Sequence, residues 1–227
     1  MSYPLVSCVM PTTANRAKYI PLAIKCFLAQ TFTDSELVIV SDGEPMPIEM
    51  PKHERIRHVH LDGPQRITGT KRNATNEHAY GQFIFHWDDD DWSAPNRVEA
   101  QVKYLQTAKE QVLSLWSFPI YDIPTKKTYL YNSSRTNTYH YHVGATSMYR
   151  KSWWEEHRFP DTKAEDTAFA KQAEELGKHG YRDGRNLMVM RAHSDSDMPM
   201  EKWYYAMMEY PWNLISADFY RDIAQHG

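Results

Sequence analysis

The sequence predicts an α/β fold: a mostly parallel sheet flanked by helices, followed by a smaller, irregular and antiparallel part. Three observations predict it. Apolar runs at Leu5–Met10, Leu37–Val40 and Phe83–Trp87 end abruptly at proline or at polar clusters, as buried strands do. Helically spaced segments lie between them, and the resulting β-α-β-β-α-β-α order calls for parallel connections with helices on both faces. Downstream of Thr107 the spacing loses that regularity.

The first strand, Leu5–Met10, is rich in apolar residues and stops at Pro11. Tyr19, Ile20, Ala23, Cys26, Phe27 and Gln30 then recur at helical spacing, with Pro21 tolerated in the first turn. Leu37–Val40 is a second buried strand, ended by Ser41, Asp42 and Gly43. A loop carrying Pro45, Pro47 and Pro51 leads to a short strand near Ile56–Leu61. Residues 66–80 read as a helix stopping before Gly81, Phe83–Trp87 as a strand, and Asn96–Thr107 as a helix behind Pro95. In the second half, Val112–Phe118 fits a strand. Thr128–Tyr131 and Thr138–Val143 alternate around the turn-rich Asn132–Asn137, which predicts a hairpin. Glu165–Leu176 fits a helix stopping at Gly177, and Leu187–Met190 a strand. The aromatic-rich residues 199–226 are expected to be helical, with a break at Pro211. Without repeat, linker or low-complexity tract, residues 1–227 read as one domain, with a ligand-binding half over 1–110 and a second half over 111–227.

Composition removes several function classes. With 26 Lys+Arg against 29 Asp+Glu, the formal charge of −3 excludes a polyanion binder that works by bulk charge. An aromatic content of 13% excludes a solvated coil. Cys8 and Cys26 sit among apolar neighbours and read as reduced, buried thiols. No apolar run is long enough to span a membrane, and no basic residue precedes Arg16 as a signal peptide would require. The expected location is the cytoplasm, with peripheral attachment at a membrane left open.

Ligands of an open parallel sheet bind beyond the carboxyl ends of its strands. Three predicted strand ends carry polar groups: Pro11 and Thr12 through Arg16, Ser41-Asp42-Gly43, and Asp88-Asp89-Asp90-Asp91. Four successive acids behind an apolar strand repel one another unless a cation or donors compensate. Hard oxygen ligands of this kind suit Mg²⁺ or Mn²⁺; the bland alternative is a solvated helix cap. His140 and His142 share one strand face but lack a third ligand at fitting spacing, so they read as a wall or a solvent-facing pair.

With these motifs in order, the chain resembles the family 2 glycosyltransferases of GT-A fold, a Rossmann-like architecture. The resemblance rests on VSCVMPTTANRAKYIPLAIKCFLAQTFTDSELVIVSDG from Val6 to Gly43, on Gly69-Thr70-Lys71-Arg72-Asn73, and on GQFIFHWDDDDWSAPNR over residues 81–97. It continues more weakly through Gly144-Ala145-Thr146-Ser147 and Glu165-Asp166. It implies that Pro11, Thr12 and Arg16 meet the nucleotide and that Asp42 contacts the base. It places Asp88 and Asp89 near the ribose and makes Asp90 the metal ligand, with Asp88 as a second candidate. Lys71 and Arg72 would meet the diphosphate, the alternative being a solvated helix start. His193 is similar to a late histidine that completes the metal site in some relatives. The Glu165-Asp166 pair would supply the base, Asp166 ahead of Glu165. Thr13-Ala14 before Asn15 departs from the family's Pro-Thr-aromatic-Asn-Arg loop, as Ser41-Asp42-Gly43 departs from Asp-Asp-Gly.

The implied function is metal-dependent, inverting transfer of a sugar from a nucleotide-sugar, a UDP-sugar first, to an acceptor hydroxyl. The acceptor is open: a saccharide, a lipid-linked glycan, a protein or a modified nucleic-acid base. Two other classes remain, a sugar-phosphate nucleotidyltransferase and a non-catalytic glycan- or nucleotide-sugar-binding module. The first should carry a Gly-rich loop, and Pro11–Ala17 contains no glycine. The intact acidic set speaks against the second.

Overall fold

The computed structural model describes residues 3–133, 142–162, 164–195 and 206–226. Its centre is the parallel pair β1 (Val6–Thr13) and β2 (Ser35–Asp42), all but one of whose residues are buried. The register runs from Val6 opposite Ser35 to Thr13 opposite Asp42, so both strands end at one level. β3 (Ile56–Leu61) extends the sheet beyond β2, and β4 (Phe83–His86) lies parallel to β1 on its other side. These are the predicted strands, joined by α1 (Ile20–Leu28) and α2 (Thr68–Glu77), with α3 (Arg97–Thr107) following.

Alternation along the strands explains the layers. Cys8, Met10, Leu37, Ile39, Phe83 and Phe85 face one way and pack with apolar residues of α1 and α3. Val9 and Ile84 face the other way, among Tyr149, Phe159 and Phe169. Each such side chain contributes roughly 1.5–3 kcal/mol by burial, enough to fix the register. Cys8 and Cys26 are free and buried.

The second half is organised by one long strand, β6 (Val112–Asp122), which runs four residues past the expected stretch and through Pro119. It pairs antiparallel with β7 (Lys127–Asn132) and with β8 (Met148–Arg150), and β8 also pairs with β4. α4 (Lys151–Glu156) and α5 (Glu165–Glu175) follow; then β9 (His179–Asp183) and β10 (Met188–Ala192) lie parallel to successive stretches of β6. A two-residue strand, β5 (Trp92–Ser93), pairs with β10.

Two expectations change. Thr128–Tyr131 pairs with β6, because the Asp122–Lys127 turn, with Lys126 at φ 56°, folds β7 directly back. Thr138–Tyr141, including His140, lies outside the described residues. Residues 199–205 lie outside the described residues; beyond them Met207–Glu209 is a strand, β11, on the outer edge of β7, with a short turn at Trp212–Leu214 and α6 (Ala217–His226) following. Edge hydrogen bonds offered by β7 outweigh local helical spacing there. No helix among the described residues is long and apolar enough to cross a membrane.

Candidate active site

The carboxyl ends of β1 and β4 open onto a cavity of about 610 Å³. Pro11, Thr12 and Arg16 line it from the first strand end, Lys71 and Arg72 from α2, and Asp88 to Asp91 from the end of β4. Glu165 and Asp166, at the first turn of α5, line it as well. Residues distant in sequence thus converge because the parallel register brings three strand ends to one edge.

The acid run does not act as one group. Asp89 turns towards β1, accepting from Thr12 Oγ1 at 2.5 Å and from Arg16 Nε and Nη2 at 2.9 and 2.6 Å. Arg16 Nη2 also pairs with Asp90, whose carboxylate meets His193 Nε2 at 3.0 Å. Asp91 accepts the backbone N–H of Arg191 at 3.0 Å, which ties the run to β10. Asp88, Asp90 and Asp91 bring carboxylate oxygens within 4.8 Å of one another. Burial, and then the neighbouring carboxylates, push Asp91 well above the usual carboxyl range; Asp88 rises too, by burial first, against the pull of Arg72. Burial also raises Asp89. Asp90 alone falls, since the His193 and Arg16 contacts outweigh its burial. Three crowded carboxylates of hard oxygen, with their charge incompletely neutralised by the protein, fit a divalent cation such as Mg²⁺ or Mn²⁺.

The cations are largely occupied by acids. Lys71, 7% exposed, sits 2.6 Å from Asp42 Oδ1, and the backbone N–H of Arg66 donates to Asp42 Oδ2 at 2.7 Å. Asp42 is not itself among the cavity's lining residues and reaches the site through that ion pair. Arg72 donates to Glu165 Oε1 at 2.9 Å. Glu165 is 2% exposed, and burial pushes its carboxyl up despite Arg72. Asp166 is half-buried instead; its Oδ2 accepts the Gly144 N–H at 2.9 Å and its Oδ1 the Thr167 N–H at 2.7 Å. A side chain at Gly144 would obstruct this: its Cβ would lie 2.9 Å from Asp166 Oδ2 and 3.1 Å from Arg72 Nη2.

His193 stacks on Tyr19 with ring centroids 4.3 Å apart, and Tyr19 donates to Asp195 at 2.9 Å. His142 lines the cavity wall but is buried between Ser114 and Ser147, its ring nitrogens 2.8 Å from each hydroxyl. Sequence reasoning leaves the choice among Asp88–Asp91 open, because the run is redundant, and does not single out Tyr19 or Arg191. Tyr19 is hidden by its place in a helical pattern. Arg191 did carry a signal: a charged residue prolonging the apolar run Leu187–Met190.

A mostly parallel α/β sheet with an acid-lined cavity at its strand ends defines the GT-A class of scaffold. Residues 7–192 match the family model "Glycosyl transferase family 2", and the chain belongs to that family. It is 32% identical over 108 residues to an uncharacterized glycosyltransferase of Rickettsia bellii, covering 45% of this chain and 15% of that protein. Against an uncharacterized glycosyltransferase of Methanocaldococcus jannaschii it is 30% identical over 129 residues, covering 52% and 43%. One from Haemophilus influenzae is 25% identical over 182 residues, covering 74% and 71%. The chain therefore spans less than half the length of the first two relatives.

Among solved structures, S. aureus TarS 1-349 in complex with UDP-GlcNAc aligns at TM-score 0.64 and 18% identity, covering 88% of this chain and 64% of that one. The mannosyltransferase PcManGT from Pyrobaculum calidifontis, in complex with GDP-Man and Mn²⁺, aligns at 0.63 and 15% identity, covering 86% and 59%. At such identities these neighbours establish the fold alone.

Proposed function

We propose that the protein transfers a sugar from a nucleotide-sugar, a UDP-sugar first, to an acceptor hydroxyl with inversion at the anomeric carbon. One observation carries this reading: a single cavity holds the acid cluster of β4 and, from α5, the half-exposed carboxylate of Asp166. The neighbours named for UDP-GlcNAc and GDP-Man support a nucleotide-sugar donor, and the Mn²⁺ of the second supports a divalent ion.

Asp88, Asp90 and Asp91 would hold that ion, with His193 buttressing Asp90. When bound, it neutralises charge on the diphosphate leaving group. The chain's own residues do the rest. Thr12 and Arg16 hold Asp89 away from the cluster, and Asp42 with Lys71 closes the nucleotide end of the cavity. Asp166, aimed by the Gly144 and Thr167 N–H groups, removes the acceptor's proton as the new bond forms. Glu165 lies under Arg72 and serves to place that arginine. A single displacement by the acceptor inverts the configuration.

The test is product analysis with UDP- and GDP-sugars, Mn²⁺ or Mg²⁺, and saccharide, lipid-linked glycan, protein and modified-base acceptors. Metal-dependent donor turnover with an inverted product is expected. Release of pyrophosphate from a nucleoside triphosphate and a sugar phosphate would assign a nucleotidyltransferase instead. Binding of nucleotide-sugar without turnover on any acceptor would make the protein a binding module.

A further inference from the structure

Arg191 differs from the other cations that line the cavity. Arg16 is engaged by Asp89 and Asp90, Lys71 by Asp42, Arg72 by Glu165, and Arg66 by the Asp62 carbonyl at 3.1 Å and by Asp42 at 3.9 Å. Arg191, on β10, is 4% exposed and lines the same cavity, yet its guanidinium has no hydrogen-bond partner among the described residues. Its Nε and Nη1 are fully buried without an acceptor, and its nearest aromatic support is the Tyr19 ring, 5.8 Å from Cζ. Buried guanidinium groups are ordinarily paired, because desolvating a charge without a partner is costly. An arginine held this way is preorganised for an anion that arrives later.

The backbone says where that anion comes. The N–H of Arg191 is fixed to Asp91, so its side chain starts beside the acid cluster at which a cation-bound diphosphate must dock. A planar guanidinium suits two oxygens of a phosphate. We infer that Arg191 is a phosphate-binding residue of the donor site, taking oxygens of the nucleotide-sugar's diphosphate and the charge that builds on them as the sugar leaves. This rests on the nucleotide-sugar reading above. It moves the principal arginine contact from α2, where Arg72 is committed to Glu165, to β10.

Calorimetry with Mn²⁺ present separates the possibilities, using UDP, uridine and inorganic pyrophosphate as probes on the wild type, Arg191→Gln and Arg191→Lys. Loss of charge-assisted hydrogen bonds predicts UDP binding weakened roughly 10- to 100-fold in Arg191→Gln, with partial recovery in Arg191→Lys and no change for uridine. Thermal melting without ligand gives a second readout: Arg191→Gln should melt at or above the wild type, because the charge it removes has no hydrogen-bond partner among the described residues. A variant that melts well below wild type marks a structural role and overturns the proposal. So does UDP binding within twofold of wild type, or an equal loss for UDP and uridine. If the wild type binds no nucleotide, the donor reading fails and pyrophosphate alone decides: loss in Arg191→Gln sustains an anion site, and no binding or no loss overturns it.

Discussion

Arg72 and Glu165, 93 positions apart, meet at 2.9 Å where helix α2 passes the first turn of α5. The pair is buried, with side-chain exposures of 10% and 3%. It divides the two acids of the α5 start between two tasks: Glu165 faces inward onto the arginine, while its neighbour Asp166 is left at the cavity. Asp166→Asn is therefore expected to lower turnover by about 10²–10⁴ with UDP affinity nearly intact, the range for losing a general base. Glu165→Gln should cost about 1–3 kcal/mol of folding stability, as a buried charge-assisted bond is weakened. Steady-state kinetics, calorimetry and urea unfolding on both variants check this. Near-normal turnover in Asp166→Asn together with its abolition in Glu165→Gln would reverse the assignment.

The acid run offers a contrast between adjacent residues. Asp90 belongs to the cluster with Asp88 and Asp91, whereas Asp89 is fastened to Thr12 and Arg16. Asp90→Asn should weaken Mn²⁺-dependent UDP binding by about 1–3 kcal/mol, on the scale of a lost charge-assisted contact. Asp89→Asn should leave Mn²⁺ affinity closer to wild type while lowering the melting temperature, since it loosens Arg16. UDP affinity unchanged by excess chelator would remove the metal from the reading altogether.

The division between what the sequence discloses and what it hides has a physical basis. Leu5–Met10 and Leu37–Val40 are legible because central parallel strands are buried on both faces and so read as continuous apolar runs. Asp88–Asp91 is legible because four acids at a strand end are an electrostatic anomaly. β5, β8 and β9 are not, because strands of two to five residues are defined by distant partners on β6, β4 and β10 rather than by their own pattern. Nor does local sequence show that Lys71 is committed to Asp42 or that Arg191 Nε and Nη1 find no hydrogen-bond partner among the described residues. Pairing among charges is a property of the folded cavity.

Gly144 is where backbone, the Asp166 carboxylate and Arg72 crowd together. Its N–H donates to Asp166, and an added Cβ would come 2.9 Å from the carboxylate that accepts it. Gly144→Ala should displace Asp166 and lower kcat while changing UDP affinity little. Gly69 has a different consequence. A Cβ there would lie 1.9 Å from the Pro160 carbonyl oxygen, so Gly69→Ala must force α2 from the segment leading to Glu165. A stability loss of about 1–3 kcal/mol is expected, the scale of overpacking, and urea unfolding measures it. Equal melting temperatures for Gly69→Ala and wild type would contradict the close approach.

His142 makes the fold sensitive to acid. It is 2% exposed, with Ser114 Oγ beside Nδ1 and Ser147 Oγ beside Nε2, each at 2.8 Å. A neutral imidazole has one donor and one acceptor, and the two rotatable hydroxyls satisfy both. Burial, and then the charge of Arg72, holds its pKa down to about 3 against an ordinary 6.5. In the unfolded chain the ring takes up a proton near the ordinary value; in the native protein it resists until far lower pH. Its contribution to stability is thus full above the unfolded value and is lost progressively as pH falls towards the folded one. At about pH 5 that loss is about 2 kcal/mol from this group alone. Urea unfolding at about pH 7.5 and about pH 5 should show the wild type losing about 2 kcal/mol more than His142→Gln. Other titrating groups act on both proteins alike, so the difference between them isolates the ring. Equal losses would mean that His142 is protonated in the native state at the lower pH and that the serine pair does not keep it neutral.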